Sequence, residues 1–336
     1  MRYMNRPVML AIAFLGCACV FSAAHAKGHK VKKSSAQSTA SQKHVKPSRK
    51  AAGRRMVRGV VSRRARPKVK VSKVSMILPK SEPGRLVLQS ASVLVQDQAT
   101  GKTLVEKRSE QILPIASITK LMTAMVVLDA RQNLQETLQI ENDDVDILRH
   151  SRSRLPVGTR LTREEALGLA LMNSENRAAH ALGRNYPGGV GAFVAAMNGK
   201  ARALGLAHAR FEDPAGLSGG NVASAQDLVR LVEAAYAYQP IRDFSTRDEM
   251  TIRAAGRRGP REVQFVNTNR LVRAHSWDIG LSKTGFIDEA GRCLVMQAKV
   301  ANRPVVIVLL DSTGKLTRFG DAIRIRQWME RSGAKS

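Results

Sequence analysis

Three short stretches carry residue types that could perform acyl transfer. In Pro114-Ile115-Ala116-Ser117-Ile118-Thr119-Lys120, a hydroxyl and an amine stand three positions apart at the mouth of an apolar run. Residues three apart on a helix share a face, so the two groups can meet within hydrogen-bond reach. An amine in apolar surroundings has its charged form disfavoured and can take the serine proton. Taken alone, the same pattern describes a buried helix start with a serine cap and a stray lysine. It also recurs at Ser312 and Lys315, in a Thr-Gly turn with no helix to align the pair. The other two stretches are Ser174-Glu175-Asn176, 57 residues after Ser117, and Lys283-Thr284-Gly285, 109 residues further on.

The elements that must position these groups begin near Leu86. Residues 86–95 read as a strand, 97–102 as a turn around Gly101, and 103–107 as the hairpin partner. Gly101-Lys102-Thr103 ends like a phosphate-binding loop, but that motif needs glycine at Gln96, so a hairpin turn is the reading. Residues 117–130 hold no helix breaker and are apolar on nearly every face, which predicts a buried central helix with Ser117 in its first turn. Thr162-Arg163-Glu164-Glu165 is a capping box leading into a helix over 166–172; residues 191–204 and 224–238 follow as amphipathic helices. Ser174-Glu175-Asn176 falls in the loop between helical stretches, and Lys283-Thr284-Gly285 ahead of a strand hairpin. Strands are predicted at 250–253, 263–266, 294–300 and 305–310, the last two turning around Asn302-Arg303-Pro304, with a closing helix over 318–331. The order implies a mixed α/β (α+β) fold: an antiparallel sheet covered by helices, beside a mainly helical lobe.

Composition divides the 336 residues into three. Residues 1–26 carry Arg2 and Arg6, an apolar stretch over 8–21 and Ala24-His25-Ala26, the pattern of a secretory signal peptide. The apolar stretch falls short of the roughly 20 residues that cross a bilayer. Cys17 and Cys19 lie in this leader in a poor lipoprotein context, so Cys293 alone would remain and no internal disulfide can form. Residues 27–80 read as a disordered basic linker, with 17 Lys or Arg and no acid over 27–73. Setting those 17 and the two leader arginines aside leaves 36 basic residues against 27 acidic ones, a net charge of +9. The linker is either a solvated spacer or an electrostatic tether to anionic envelope polymers or lipids. Export and the lack of aromatic residues in it argue against nucleic acid. Residues 81–336 are predicted to form the folded domain, the catalytic one if the three stretches act together.

In this order, Ser-x-x-Lys, Ser-x-Asn and Lys-Thr-Gly resemble the active-site trio of penicillin-binding proteins and serine β-lactamases. Residues 211–217 (Phe-Glu-Asp-Pro-Ala-Gly-Leu), 267–271 (Asn-Thr-Asn-Arg-Leu) and 277–285 (Trp-Asp-Ile-Gly-Leu-Ser-Lys-Thr-Gly) extend the likeness. Over residues 86–331 the chain resembles the low-molecular-mass D-alanyl-D-alanine peptidases, and among them the murein DD-endopeptidases of the penicillin-binding protein 7 type. The resemblance implies the penicillin-binding-protein/serine β-lactamase-like fold. It implies Ser117 as nucleophile, Lys120 as general base and Ser174 as proton relay. Asn176 would hold the substrate amide, and Lys283 and Thr284 the carboxylate beside the scissile bond. Gly285 would admit substrate to the strand edge, and the Ser117 and Phe286 N–H groups would form an oxyanion hole. Ala215 departs from the hydroxyl residue of many relatives and is expected to touch no catalytic atom.

No metal or organic cofactor is implied; His180, His208 and His275 are too scattered in sequence for a metal site. The resemblance implies peptidoglycan cross-links and β-lactams as partners and a periplasmic location. Only 51 residues follow Gly285, which fits the shorter endopeptidase form rather than carboxypeptidases with an added domain. A D-alanyl-D-alanine carboxypeptidase is the alternative, since the trio serves both activities. A β-lactamase would need a deacylating glutamate in a Glu-x-x-Leu-Asn motif, which is missing. The alternative of another class is a non-catalytic polyanion- and wall-binding protein that only docks peptides.

Overall fold

The computed structural model describes residues 86–333, and the leader and linker readings lie outside the described residues. In chain order the elements are β1 (Ser92–Asp97), β2 (Thr103–Lys107), β3 (Leu113–Pro114), α1 (Thr119–Asp129), β4 (Thr137–Gln139), β5 (Arg160–Thr162), α2 (Arg163–Met172), α3 (Asn176–Arg184), α4 (Gly189–Ala203), β6 (Val222–Ala223), α5 (Ala225–Tyr236), α6 (Gln239–Ser245), β7 (Glu249–Ala254), β8 (Arg261–Val266), α7 (Arg270–Arg273), β9 (Asp278–Ile287), β10 (Gly291–Val300), β11 (Arg303–Ser312) and α8 (Thr317–Gly333). Five strands make one antiparallel sheet in the order β2-β1-β11-β10-β9.

Both faces of this sheet are covered, which is why Val305 to Leu310 of β11 and Cys293 to Met296 of β10 read as continuous apolar runs rather than alternating ones. Alternate side chains point to opposite faces of a strand. Val305, Ile307 and Leu309 of β11 therefore join Phe319, Ala322, Ile325 and Met329 of α8 in one core. Val306, Val308 and Leu310 join the helical lobe on the other side. At the centre of that lobe, α1 buries Thr119 through Val127 without a break. Two capping boxes start helices: Thr162 with Glu165 for α2, and Ser224 with Asp227 for α5.

Several bounds differ from the sequence reading. The expected strand over 86–95 starts only at Ser92; before it, Gln89 and Ser90 donate backbone N–H groups to the buried carboxylate of Asp321 on α8. The β10–β11 hairpin turns through Ala301 and Asn302, both at positive φ (48° and 61°), while Arg303 and Pro304 already belong to β11. β7 and β8 pair only with each other and stand apart from the main sheet. The second Ser-x-x-Lys has a structural role: Ser312 is buried and lies 2.7 Å from Ser90 Oγ, in the same network as Asp321.

Two unexpected elements matter most. Helix α3 opens at Asn176, capped by the Glu175 side chain, so the Ser174 turn is a helix entrance and not a plain loop. Its buried stripe is Ala178, Ala179, Ala181, Leu182 and Gly183, small residues apart from the one leucine. Strand β9 carries Lys283-Thr284-Gly285 itself, and pairs with β10 along one edge only. The trio's last member therefore lies on an edge strand.

Candidate active site

Ser117 does not sit in a regular α-helical turn. It occupies a 3-10 turn, Ala116–Ile118, that leads directly into α1. Ala116 is held at φ 48°, a conformation costly for a residue with a side chain. Two glycines press on this turn from either side. A Cβ on Gly285 of β9 would lie 2.8 Å from Ile115 O and 3.2 Å from Ser117 N. A Cβ on Gly216, itself at φ 76°, would lie 2.0 Å from Ala116 O. Glycine at 285 is thus demanded by the nucleophile turn, whatever it also allows a ligand to do.

Lys120, one turn into the helix, is fully buried and makes three contacts through Nζ. It donates to Asn176 Oδ1 at 2.8 Å and to the Ala215 carbonyl at 2.5 Å, and lies 2.8 Å from Ser117 Oγ. Burial brings its pKa down to about 7, against the partial support of the Asp213, Glu175 and Asp146 charges. The arrangement suits the neutral amine. Its two N–H groups can serve the two carbonyl oxygens, which only accept, leaving the nitrogen lone pair facing the Ser117 hydroxyl.

The expectation that Ala215 touches no catalytic atom is overturned, because its main-chain oxygen accepts from Lys120 and, at 3.4 Å, from Ser117 Oγ. That carbonyl is aimed by Asp213, whose carboxylate accepts the backbone N–H groups of Ala215, Gly216, Leu217 and Ser218. Asn221 completes the loop, taking the Glu212 N–H on its own amide oxygen, while its main-chain oxygen accepts from Ile115 N–H.

A second cluster adjoins the first through the 174–176 segment. Ser174, at φ 64°, accepts from Lys283 Nζ at 2.8 Å, and Lys283 also reaches the Thr284 carbonyl at 3.0 Å. Burial, with the charges of Lys120 and Arg318 as lesser causes, holds the Lys283 amine well below its ordinary range. Thr284 Oγ1 donates to Thr268 Oγ1 at 2.7 Å. Asn176, held to Lys120 through its oxygen, donates its amide nitrogen to Ser151 Oγ at 2.9 Å. All eight sequence-predicted site residues thus lie in or beside one region; Phe286, 48% exposed, lines a cleft of about 220 Å³ with Ser117, Ser151, Asn176 and Arg149. The three histidines sit in separate pairs, His180 with Asp144, His208 near Asp227 and His275 with Asp248.

Sequence reasoning missed Ser151, Arg149, Asp213, Asn221, Thr268 and Arg318. Most sit in loops whose value is positional, and only Asp213 and Thr268 fell inside quoted stretches. Arg318 is buried at the start of α8 with Nε and Nη1 unpartnered, and burial brings its pKa down to about 10. A larger apolar cavity of about 530 Å³, between α7 and α8, contains none of the site residues.

A serine meeting a desolvated lysine, opposite an edge strand bearing Lys-Thr-Gly, defines an active-site serine hydrolase of the penicillin-recognising class. Residues 79–314 match the family model described as D-alanyl-D-alanine carboxypeptidase. The chain belongs to that family. It is 49% identical over 243 residues to a D-alanyl-D-alanine endopeptidase of Pseudomonas aeruginosa, covering 72% of this chain and 78% of the relative. With the D-alanyl-D-alanine endopeptidase of Escherichia coli it shares 42% identity, over 77% of this chain and 82% of the other. Among solved structures, the DD-transpeptidase of Streptomyces K15 superposes with a TM-score of 0.67 at 28% identity, covering 72% of this chain and 97% of that one.

The Lys120 amine gives a pH dependence. The base must be neutral to take the serine proton, and the protonated fraction grows as pH falls through about 7. Acylation by benzylpenicillin should slow about tenfold per unit below that value and level off above it. Stopped-flow or gel-based labelling across the pH range measures this; a rate constant flat through about pH 7 would exclude Lys120 as the base.

Proposed function

We propose that the protein is a periplasmic DD-endopeptidase that hydrolyses D-alanyl-diaminopimelate cross-links in peptidoglycan through an acyl-enzyme on Ser117. The observation that carries this reading is the contact of Lys120 Nζ with Ser117 Oγ at 2.8 Å, with the amine's pKa brought to about 7. In the acylation step Ser117 Oγ attacks the D-alanyl carbonyl while Lys120 takes its proton. The Ser117 and Phe286 N–H groups receive the oxyanion, and Ser174 passes a proton to the departing amine. Asn176 holds the substrate amide, and Lys283 and Thr284 take the carboxylate beside the scissile bond. Water then releases the acyl group, while β-lactams remain attached because the chain lacks a dedicated deacylating glutamate.

The endopeptidase choice is supported by the names of the two relatives at 49% and 42% identity. A peptide cross-link presents, on its leaving side, a D-configured centre with a free carboxylate next to the amide. A clamp suited to D-Ala-D-Ala therefore suits it too. The carboxypeptidase activity named for more distant relatives is the second reading.

The basic segment over 27–73 is proposed as a tether that follows export behind the leader. Each cation near an anionic surface contributes on the order of 1 kcal/mol, over a range of about 8 Å at physiological salt. Deleting 27–73 should leave turnover of small soluble peptides unchanged and weaken binding to envelope fractions, most at low salt. Equal binding across a salt series would reduce the segment to a spacer.

For the activity itself, the purified protein should convert cross-linked muropeptide dimers to monomers faster than it trims pentapeptides, and Ser117→Ala should abolish both. Free D-alanine as the main product would favour the carboxypeptidase. Absence of any product, with penicillin still bound, would favour the docking protein.

A further inference from the structure

One ion pair crosses the end of the Ser117 cleft and takes no part in the chemistry above. Arg149 Nη1 and Nη2 meet Glu289 Oε2 and Oε1 at 2.8 and 2.9 Å, and Nε of the same guanidinium donates to the Leu217 carbonyl. Its three anchoring segments, around 149, 217 and 289, are also walls of the cleft, which Arg149 and Asp288 line together with Ser117 and Phe286. Asp146 sets the first of these walls. Its carboxylate accepts the N–H groups of Leu148, Arg149 and Ser151, which turns Arg149 and Ser151 inward and leaves Ile147 and Leu148 largely exposed.

The position of this pair along β9 gives it a direction. Lys283 and Thr284 precede Gly285, which packs on Ser117, while Ile287 and Asp288 follow it. Strand β9 ends at Ile287, two residues and about 7 Å beyond Gly285, and the pair sits just past that end, on the side away from the Lys-Thr clamp. On the mechanism proposed above, that is the acyl side of the scissile bond. The inference rests on that reading.

We infer that Arg149, Glu289 and Asp288 form a receptor for an amino-carboxylate zwitterion, the free end of a diamino-acid side chain on the acyl donor. The guanidinium takes the substrate carboxylate in the two-pronged geometry it now offers Glu289. Glu289 and Asp288 then take the substrate ammonium. The exchange is easy for two reasons. Glu289 is 53% exposed, and an exposed ion pair contributes little to stability. Arg149 is 20% exposed and stays oriented through Leu217 when its partner leaves. Asp288 would repel a plain anion, which makes the zwitterion the better fit.

The test uses three penicillins whose acyl side chains share one length and end in an amino-carboxylate, its N-acetylated carboxylate, or an uncharged amide. Second-order acylation constants are measured on the mature wild-type protein, Arg149→Gln and Glu289→Gln, each scaled to the fraction that labels at Ser117. The wild type should rank zwitterion over carboxylate over amide. Arg149→Gln should lower both charged compounds relative to the amide by about tenfold. Glu289→Gln should leave the amide unchanged and narrow the advantage of the zwitterion over the carboxylate, because Asp288 alone remains to take the ammonium. One unchanged ranking in all three proteins, or equal losses on every compound, would make the pair a structural brace and overturn the inference. Because acylation by penicillin does not require cleavage of cross-links, failure to digest muropeptide dimers would sink the proposed function and leave this ranking to be read independently.

Discussion

The amine of Lys120 is buried beside a serine hydroxyl, and the rest of the site follows from keeping it there. A protonated amine in that position is penalised by desolvation, and burial brings the pKa to about 7 rather than the ordinary 10.5. The sign of the cost is definite. Between about 7 and the unfolded value, the folded state binds fewer protons at this lysine than the unfolded chain does. This group therefore makes stability rise with pH through that window, and its full penalty is present below about 7. Lys283, displaced in the same direction, adds a second penalty of the same sign. The fold carries both because its core is large: α1 alone buries an unbroken run from Thr119 to Val127.

Holding the amine against the hydroxyl requires close approach of three backbones. The Ala116 turn is pinned between Gly216 and Gly285, neither of which leaves room for a side chain on that face. Asp213 gathers four N–H groups so that the Ala215 carbonyl points at Lys120, and Ser151 fixes the Asn176 amide so that its oxygen does the same. Positive φ at Ala116 and Ser174 places local strain at the two serines of the site. Each is over-determined by its surroundings: Ala116 by burial between the glycines, Ser174 by the bond from Lys283.

Much of this was legible in the chain. Elements with large apolar residues at regular spacing, such as α5, β10 and β11, fall where pattern and capping place them. The trio was legible because its chemistry depends on residue type. What was hidden is what chemistry overrides. Strand β9 interrupts Ile279, Leu281, Phe286 and Ile287 with Ser282, Lys283 and two glycines, so it shows no continuous apolar run, and its pairing with β10 makes it a strand. Helix α3 escaped because it is short and its packing stripe is alanine and glycine apart from Leu182; a Cβ on Gly183 would come within 2.5 Å of Pro214 Cγ. The Ala215 contact runs through a main-chain oxygen, and no side-chain identity announces it.

The account turns on the state of one amine, and that can be observed without turnover. Protein labelled with 13C at lysine Cε would be titrated by NMR, the Lys120 resonance being the one lost in Lys120→Arg. The account predicts a midpoint near 7 for that resonance. A midpoint at about 10, with the exposed lysines, would mean the amine is charged when it meets Ser117 and cannot serve as its base.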